Sequence, residues 1–132
     1  ADYWSHWISF DKKTNKLPKI FHINWFRKDN EGKFLWPGFN ENLRVLRWII
    51  DRCDEKINAR ETAIGFLPQA CDIDTSDLDI AQQNIDELLS IDENDWIEEI
   101  NSIGKYILSF GERVPIELIN EYNKLSKSLD NN

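Results

Sequence analysis

Five aromatic rings, Trp25, Phe26, Phe34, Trp36 and Phe39, fall within the eighteen residues from Trp25 to Asn42. Pro37-Gly38 interrupts the pattern before Phe39. Proline has no amide to donate to a ladder, and the pair is a strong turn signal, so a simple buried strand pair cannot hold all five rings. Some of them are therefore expected on irregular backbone, where a planar group can reach them.

The surrounding residues place those rings on elements. Phe21, Ile23 and Trp25 alternate with His22 and Asn24, which predicts a strand over 20–26. Asp29-Asn30-Glu31-Gly32 predicts a turn, and residues 33–36 a short return strand. Such a hairpin carries Phe26, at a strand end, toward Phe39 on the loop after Pro37-Gly38. Two rings from different elements can sandwich a purine, and stacking of that kind contributes about 1–3 kcal/mol per base. Phe34, on the return strand, could add an edge. The same rings also fit a reading in which all are core, and the pattern alone leaves both open.

Asn40-Glu41-Asn42 reads as a helix entry, with Asn as a cap and Glu41 at the positive end of the dipole. The helix is expected to reach about Lys56. Leu43, Leu46, Ile50 and Cys53 share one face, Val45 and Ile49 flank it, and Arg44, Arg47 and Arg52 face solvent or an absent partner. Thr62 to Leu67 reads as a buried strand closed by Pro68. Residues 72–79 are acidic and turn-like, and short helical turns are expected over 80–90. Trp96, Ile100, Ile103 and Ile107 stripe a helix from about Glu93 to Phe110, stopped by Gly111. Pro115 opens a last helix striped by Leu118, Ile119, Tyr122, Leu125 and Leu129. At the other end, Tyr3, Trp4, Trp7 and Ile8 mark the end of a helix, and the final Asp130-Asn131-Asn132 is expected to fray. The fold class is mixed α/β, of α+β type within this chain: short strands followed by helices.

Charge restricts the partners. Residues 1–60 carry 12 Lys/Arg and 8 Asp/Glu, whereas residues 61–132 carry 4 and 16. A polyanion is repelled by the second half, so generic nucleic-acid binding is disfavoured, while a small phosphate-bearing ligand near the first half is allowed. No apolar run approaches eighteen residues, so no membrane span is expected. The start, Ala1-Asp2-Tyr3-Trp4-Ser5, lacks a basic n-region and an apolar core and reads as folded sequence, as expected of a piece of a longer protein. Cys53 and Cys71 have no CxxC partner and read as reduced thiols of a cytoplasmic protein. His6 and His22, the two histidines, read as structural, with His22 hydrogen-bonded inside the strand. No Ser/His/Asp group, no paired carboxylates and no GxxxxGK[ST] loop stand out.

The continuous stretch KLPKIFHINWFRKDNEGKFLWPGFNEN, residues 16–42, closely resembles the guanine-binding region of GTP-dependent phosphoenolpyruvate carboxykinase. The resemblance is strong to about residue 68 and weaker through the acidic helical tail. It implies that residues 1–132 are the C-terminal segment of the carboxykinase nucleotide-binding domain, with 1–68 as the guanine-binding region and 69–132 as the tail. It implies that Phe26, Phe34 and Phe39 surround guanine and that Asn42 hydrogen-bonds its edge. Asn alone does not distinguish bases, since its amide also pairs with adenine, so the guanine preference is inherited from the resemblance. Asn42 also fits as an ordinary first-turn helix residue.

One departure is Asn40, where the family usually has Gly. Asn tolerates left-handed backbone and caps helices, so the loop is expected to survive with some change of fit.

The resemblance further implies a monomeric parent enzyme that converts oxaloacetate and GTP to phosphoenolpyruvate, GDP and carbon dioxide with Mn²⁺ or Mg²⁺. The metal ligands, phosphate loop, reactive cysteine and lid of the family lie upstream, so no catalytic residue and no metal ligand is assigned here. The chain alone is expected to be inactive, and to expose the faces that pack on upstream elements and so self-associate. The rival is a stand-alone helical interaction module presenting an aromatic patch to a protein; a third reading is a truncated relic that folds and binds nothing. GTP titration against ATP, beside a partner pull-down, separates the first two.

Overall fold

A computed structural model describes residues 1–130. The chain packs as two compact units, one of residues 19–90 and one of residues 1–18 with 91 onward. Helices plus one small sheet agree with the expected α+β content.

In the 19–90 unit, Trp36, Ile73 and Ile85 form the buried centre, with Trp25, Val45, Ala70, Ile80, Leu88 and Leu89 packed against them. Helix α1 (Asp2–Ile8) belongs to the other unit; α2 (Asn42–Cys53) is the long helix here and follows a 3-10 turn over Phe39–Glu41. It ends three residues before the expected Lys56. The expected Asn40 cap is not made: Glu41 holds the cap position without a side-chain hydrogen bond, and the 3-10 turn supplies the entry instead. The inward residue of α2 is Trp48, which meets Phe21 edge-on at 6.1 Å. Sequence reading overlooked it. Leu43, Leu46, Ile50 and Cys53, the stripe singled out above, lie exposed.

The strand expectations need correction. Residues 20–26 form no ladder, although their burial alternates with period two: Phe21, Ile23 and Trp25 are half-buried, His22, Asn24 and Phe26 exposed. Asn24 Oδ1 accepts the Phe26 amide at 2.9 Å, a local turn that competes with a strand. The return strand over 33–36 shrinks to one bridge between Lys28 and Phe34. His22 is exposed and makes no hydrogen bond among the described residues, contrary to its expected structural role. Thr62 to Leu67 is not one buried strand but a hairpin of β1 (Arg60–Thr62) and β2 (Gly65–Leu67), pairing Arg60 with Leu67 and Glu61 with Phe66. The Thr62 hydroxyl donates to the Gly65 carbonyl at 2.6 Å and closes that turn. Helix α3 (Gln82–Leu88) fulfils the expected helical turns and seats Ile85 in the core.

In the other unit, α1 (Asp2–Ile8) leads into a 3-10 turn over Ser9–Lys12. Trp4 packs edge-on against Phe110 at 4.8 Å and Tyr106 at 6.3 Å. Helix α4 (Glu93–Leu108) starts at Asp92, whose Oδ1 accepts the amides of Asn94 at 2.8 Å and Asp95 at 3.2 Å. That satisfies orphan donors of the first turn, a cap the sequence reading missed. Ile100 and Ile107 of its stripe are buried, and Gly111 opens a 3-10 turn beyond it, as expected of a stop. Helix α5 (Ile116–Asp130) follows Pro115 and buries Leu129. Asp130 is thus helical, and the expected fraying of Asn131 and Asn132 lies outside the described residues. Among the described residues no helix is long and apolar enough to cross a membrane.

Candidate functional site

The site region is a tight hairpin without extended strands. The Leu35 amide donates to the Arg27 carbonyl at 3.0 Å, and the Asp29 amide to the Lys33 carbonyl at 2.9 Å. Asp29 Oδ1 accepts the amides of Glu31 and Lys33, each at 2.9 Å, and so closes the tip with a side chain. The base is tied down by Arg27. Its guanidinium donates to the carbonyls of Leu88 (3.2 Å) and Ser90 (3.0 Å) and to Ser90 Oγ (3.1 Å).

This hairpin sorts its aromatics by side. Leu35 and Trp36 are buried, and Trp25 packs near Trp36 at 6.1 Å. Phe26 and Phe34 are turned outward, 73% and 50% exposed, and meet edge to face at 6.2 Å. Lys28 Nζ stands 5.0 Å above the Phe34 ring, a cation–π arrangement that leaves the ammonium free for an anion. Trp36 is therefore core, Trp25 is half-buried against it, and Phe26 and Phe34 are presented.

Phe39 is 86% exposed. Gly38 before it has φ +131° and ψ −173°, a conformation costly for any residue with a Cβ. That backbone step ends the hairpin run and starts the 3-10 turn carrying Phe39. Phe39 makes no ring contact with Phe26 or Phe34 among the described residues, so its face is open. Asn40 is exposed in the same turn and does not adopt positive φ, so this backbone does not demand Gly there.

Asn42, the first residue of α2, is half-buried, and its Oδ1 accepts the Trp36 indole N–H at 2.9 Å. Two residues on, Arg44 is not turned to solvent as expected. It donates to Glu41 Oε2, to the Asp74 carbonyl and to Asp77 Oδ1, each at 2.7 Å. Hydrogen bonding to Glu41, then to Asp77, holds its pKa above the ordinary arginine value. The acidic loop is thereby fastened to the start of α2. Sequence reading had no signal for this, because the loop partners Asp74 and Asp77 lie 30 and 33 residues away.

Among the described residues no three His, Cys, Asp or Glu side chains are grouped to hold an ion. Cys53 and Cys71 are free thiols at the surface.

Residues 1–128 match the family model for the phosphoenolpyruvate carboxykinase C-terminal P-loop domain. The chain is 44% identical over 130 residues to phosphoenolpyruvate carboxykinase [GTP] of Chlamydia trachomatis, covering 98% of this chain and 22% of that protein. It is 50% identical over 121 residues to the enzyme of the same name from Treponema pallidum, covering 89% of this chain and 20% of the relative. The counterpart from Neocallimastix frontalis is 46% identical over 132 residues. The chain spans about a fifth of the length of the curated relatives it matches. By the match of nearly its whole length, the chain belongs to the GTP-dependent phosphoenolpyruvate carboxykinase family, within that family's C-terminal P-loop domain.

Proposed function

We propose that residues 1–132 are the base-recognition segment of a phosphoenolpyruvate carboxykinase, with 1–68 holding guanine and 69–132 forming an acidic helical tail. The whole enzyme converts oxaloacetate and GTP to phosphoenolpyruvate, GDP and carbon dioxide in the cytoplasm, with Mn²⁺ or Mg²⁺ held by residues outside this chain. Phe26 and Phe39 clamp the faces of the guanine, Phe34 lies at its edge, and Asn42 bonds its rim. The observation that carries this reading is the selective exposure of Phe26, Phe34 and Phe39 beside the buried Trp36 and the half-buried Trp25. A cluster serving only as core would hide all five rings.

The short elements of the first half extend a larger sheet contributed by the upstream part of the same enzyme. That upstream part also covers the stripe Leu43, Leu46 and Ile50 of α2, which runs at helical spacing and is exposed. The complete enzyme is a monomer, and the isolated chain self-associates through this stripe. The test is nucleotide affinity of the complete enzyme carrying this chain. Phe39→Ala is expected to weaken GTP binding by about 1–3 kcal/mol, the worth of a lost stacking face. Unchanged affinity in a folded variant rejects the clamp.

A further inference from the structure

The hydrogen bond between Trp36 and Asn42 has a chemical direction. An indole N–H donates and cannot accept, so the Asn42 atom facing it at 2.9 Å must be the carbonyl oxygen. The other end of the amide is then the NH₂ group, a donor. No protein group engages that NH₂ among the described residues, and Asn42 is only half-buried, so the donor is available to a ligand. Trp36 is itself held, 6% exposed in the core with Ile73 and Ile85 around it. Its indole cannot turn away without disturbing that packing.

We infer that Trp36 is a positioning residue for base selectivity: it locks the Asn42 amide with its donor outward, so the site accepts a carbonyl at the purine 6-position and rejects an amino group. This rests on the guanine-site reading given above. A free asparagine amide can flip and pair with either base, because it carries a donor and an acceptor on nearly identical shapes. Guanine presents the O6 acceptor where adenine presents the N6 amino donor. With Oδ1 occupied by Trp36, flipping Asn42 to suit adenine leaves a buried indole N–H facing an NH₂ group. A neutral hydrogen bond of ordinary net strength corresponds to about a three- to tenfold bias against the flipped amide. Stacking on Phe26 and Phe39 carries no such choice, since every base has a π-face.

The experiment removes the indole donor, once with a smaller ring and once with a ring of nearly the same volume. Trp36→Phe and, for closer packing, benzothienylalanine at position 36 are compared with the unaltered complete enzyme. Competition binding is measured for GTP, for ATP and for the 2-aminopurine ribonucleoside triphosphate, which lacks O6. Both variants should lower the GTP-over-ATP affinity ratio about three- to tenfold. The penalty for removing O6 should shrink by a similar factor. Asn42→Asp, which keeps an acceptor for Trp36 and presents an acceptor outward, should turn the preference toward the amino-bearing base. A ratio unchanged in the benzothienyl variant overturns the inference. An equal weakening of all three nucleotides also overturns it, because that is the mark of a purely structural tryptophan. Phe39→Ala, run alongside, separates the two levels. If it weakens GTP while the position-36 variants leave the ratio alone, the site stands and the role of Trp36 falls. If it changes nothing, the guanine site and the inference fall together.

Discussion

Gly104 of α4 lies against the ring of Tyr122 on α5: a Cβ placed at residue 104 would overlap the tyrosine hydroxyl and stand 2.8 Å from its Cζ and 3.1 Å from Cε2. A buried glycine inside a helix costs about 1 kcal/mol relative to alanine, so its presence marks a place where closeness outweighs propensity. Gly104→Ala should destabilise the chain by about 1–2 kcal/mol, overpacking less the gain in propensity. Adding Tyr122→Leu should recover part of the loss. Urea unfolding of the single and double variants checks this, and a Gly104→Ala chain more stable than the parent would contradict the close approach.

The acidic loop supplies a pH prediction. Asp74 Oδ1 accepts the Ser76 hydroxyl at 2.7 Å and its amide at 3.1 Å, which lowers the carboxyl pKa below its ordinary 3.8. A folded-state pKa lower than the unfolded one stabilises the charged form. The contribution is therefore full above pH 3.8 and disappears as pH falls through the lower folded value. Arg44, bound to the Asp74 carbonyl, should lose its fixed geometry as this loop loosens. NMR titration of the Asp74 carboxyl should give a midpoint below 3.8, and a midpoint at or above it counts against the bonded loop.

The exposed stripe of α2 makes a third expectation. Leu43, Leu46 and Ile50 follow one another at spacings of three and four, so they share a face. Together they form an apolar band of the kind that drives association. Sedimentation of the isolated chain should show concentration-dependent oligomers that Leu43→Glu with Ile50→Glu abolishes. A strict monomer at high concentration, with no binding of an apolar dye, speaks against it.

Chemistry should be absent from the isolated chain. Phosphoryl transfer needs groups on the β- and γ-phosphates and a bridging metal, and no GxxxxGK[ST] loop occurs in these 132 residues. Base contacts without charge-assisted phosphate contacts should also give weak GTP affinity. Oxaloacetate, GTP and Mn²⁺ added to the purified chain should yield no phosphoenolpyruvate above a blank. Turnover that survives removal of any longer enzyme would refute this.

Much of this architecture was readable where the signal is local. The α4 and α5 stripes were visible because their isoleucines and leucines repeat at helical spacing, and Gly111 and Pro115 punctuate them. Period-two burial over 20–26 was also visible, but a strand needs a partner, and alternation alone does not reveal whether one exists. For the same reason residues 33–36 formed one bridge instead of a ladder. The outward rings followed from Pro37-Gly38. Which rings turn inward did not, because the core that takes in Trp36 and half-buries Trp25 is built with Ile73 and Ile85 from distant sequence. The Trp36–Asn42 bond and the Arg44 network were hidden too, since donor direction and long-range partners exist only in three dimensions.

The central claim is that guanine sits between Phe26 and Phe39, and a crystal structure of the complete enzyme with GTP addresses it directly. The account predicts the base stacked between those two rings, with Phe34 at its edge and the Asn42 NH₂ directed at O6 while Trp36 still holds Oδ1. A guanine seated elsewhere, with Phe26 and Phe39 both facing solvent in the occupied enzyme, would contradict it.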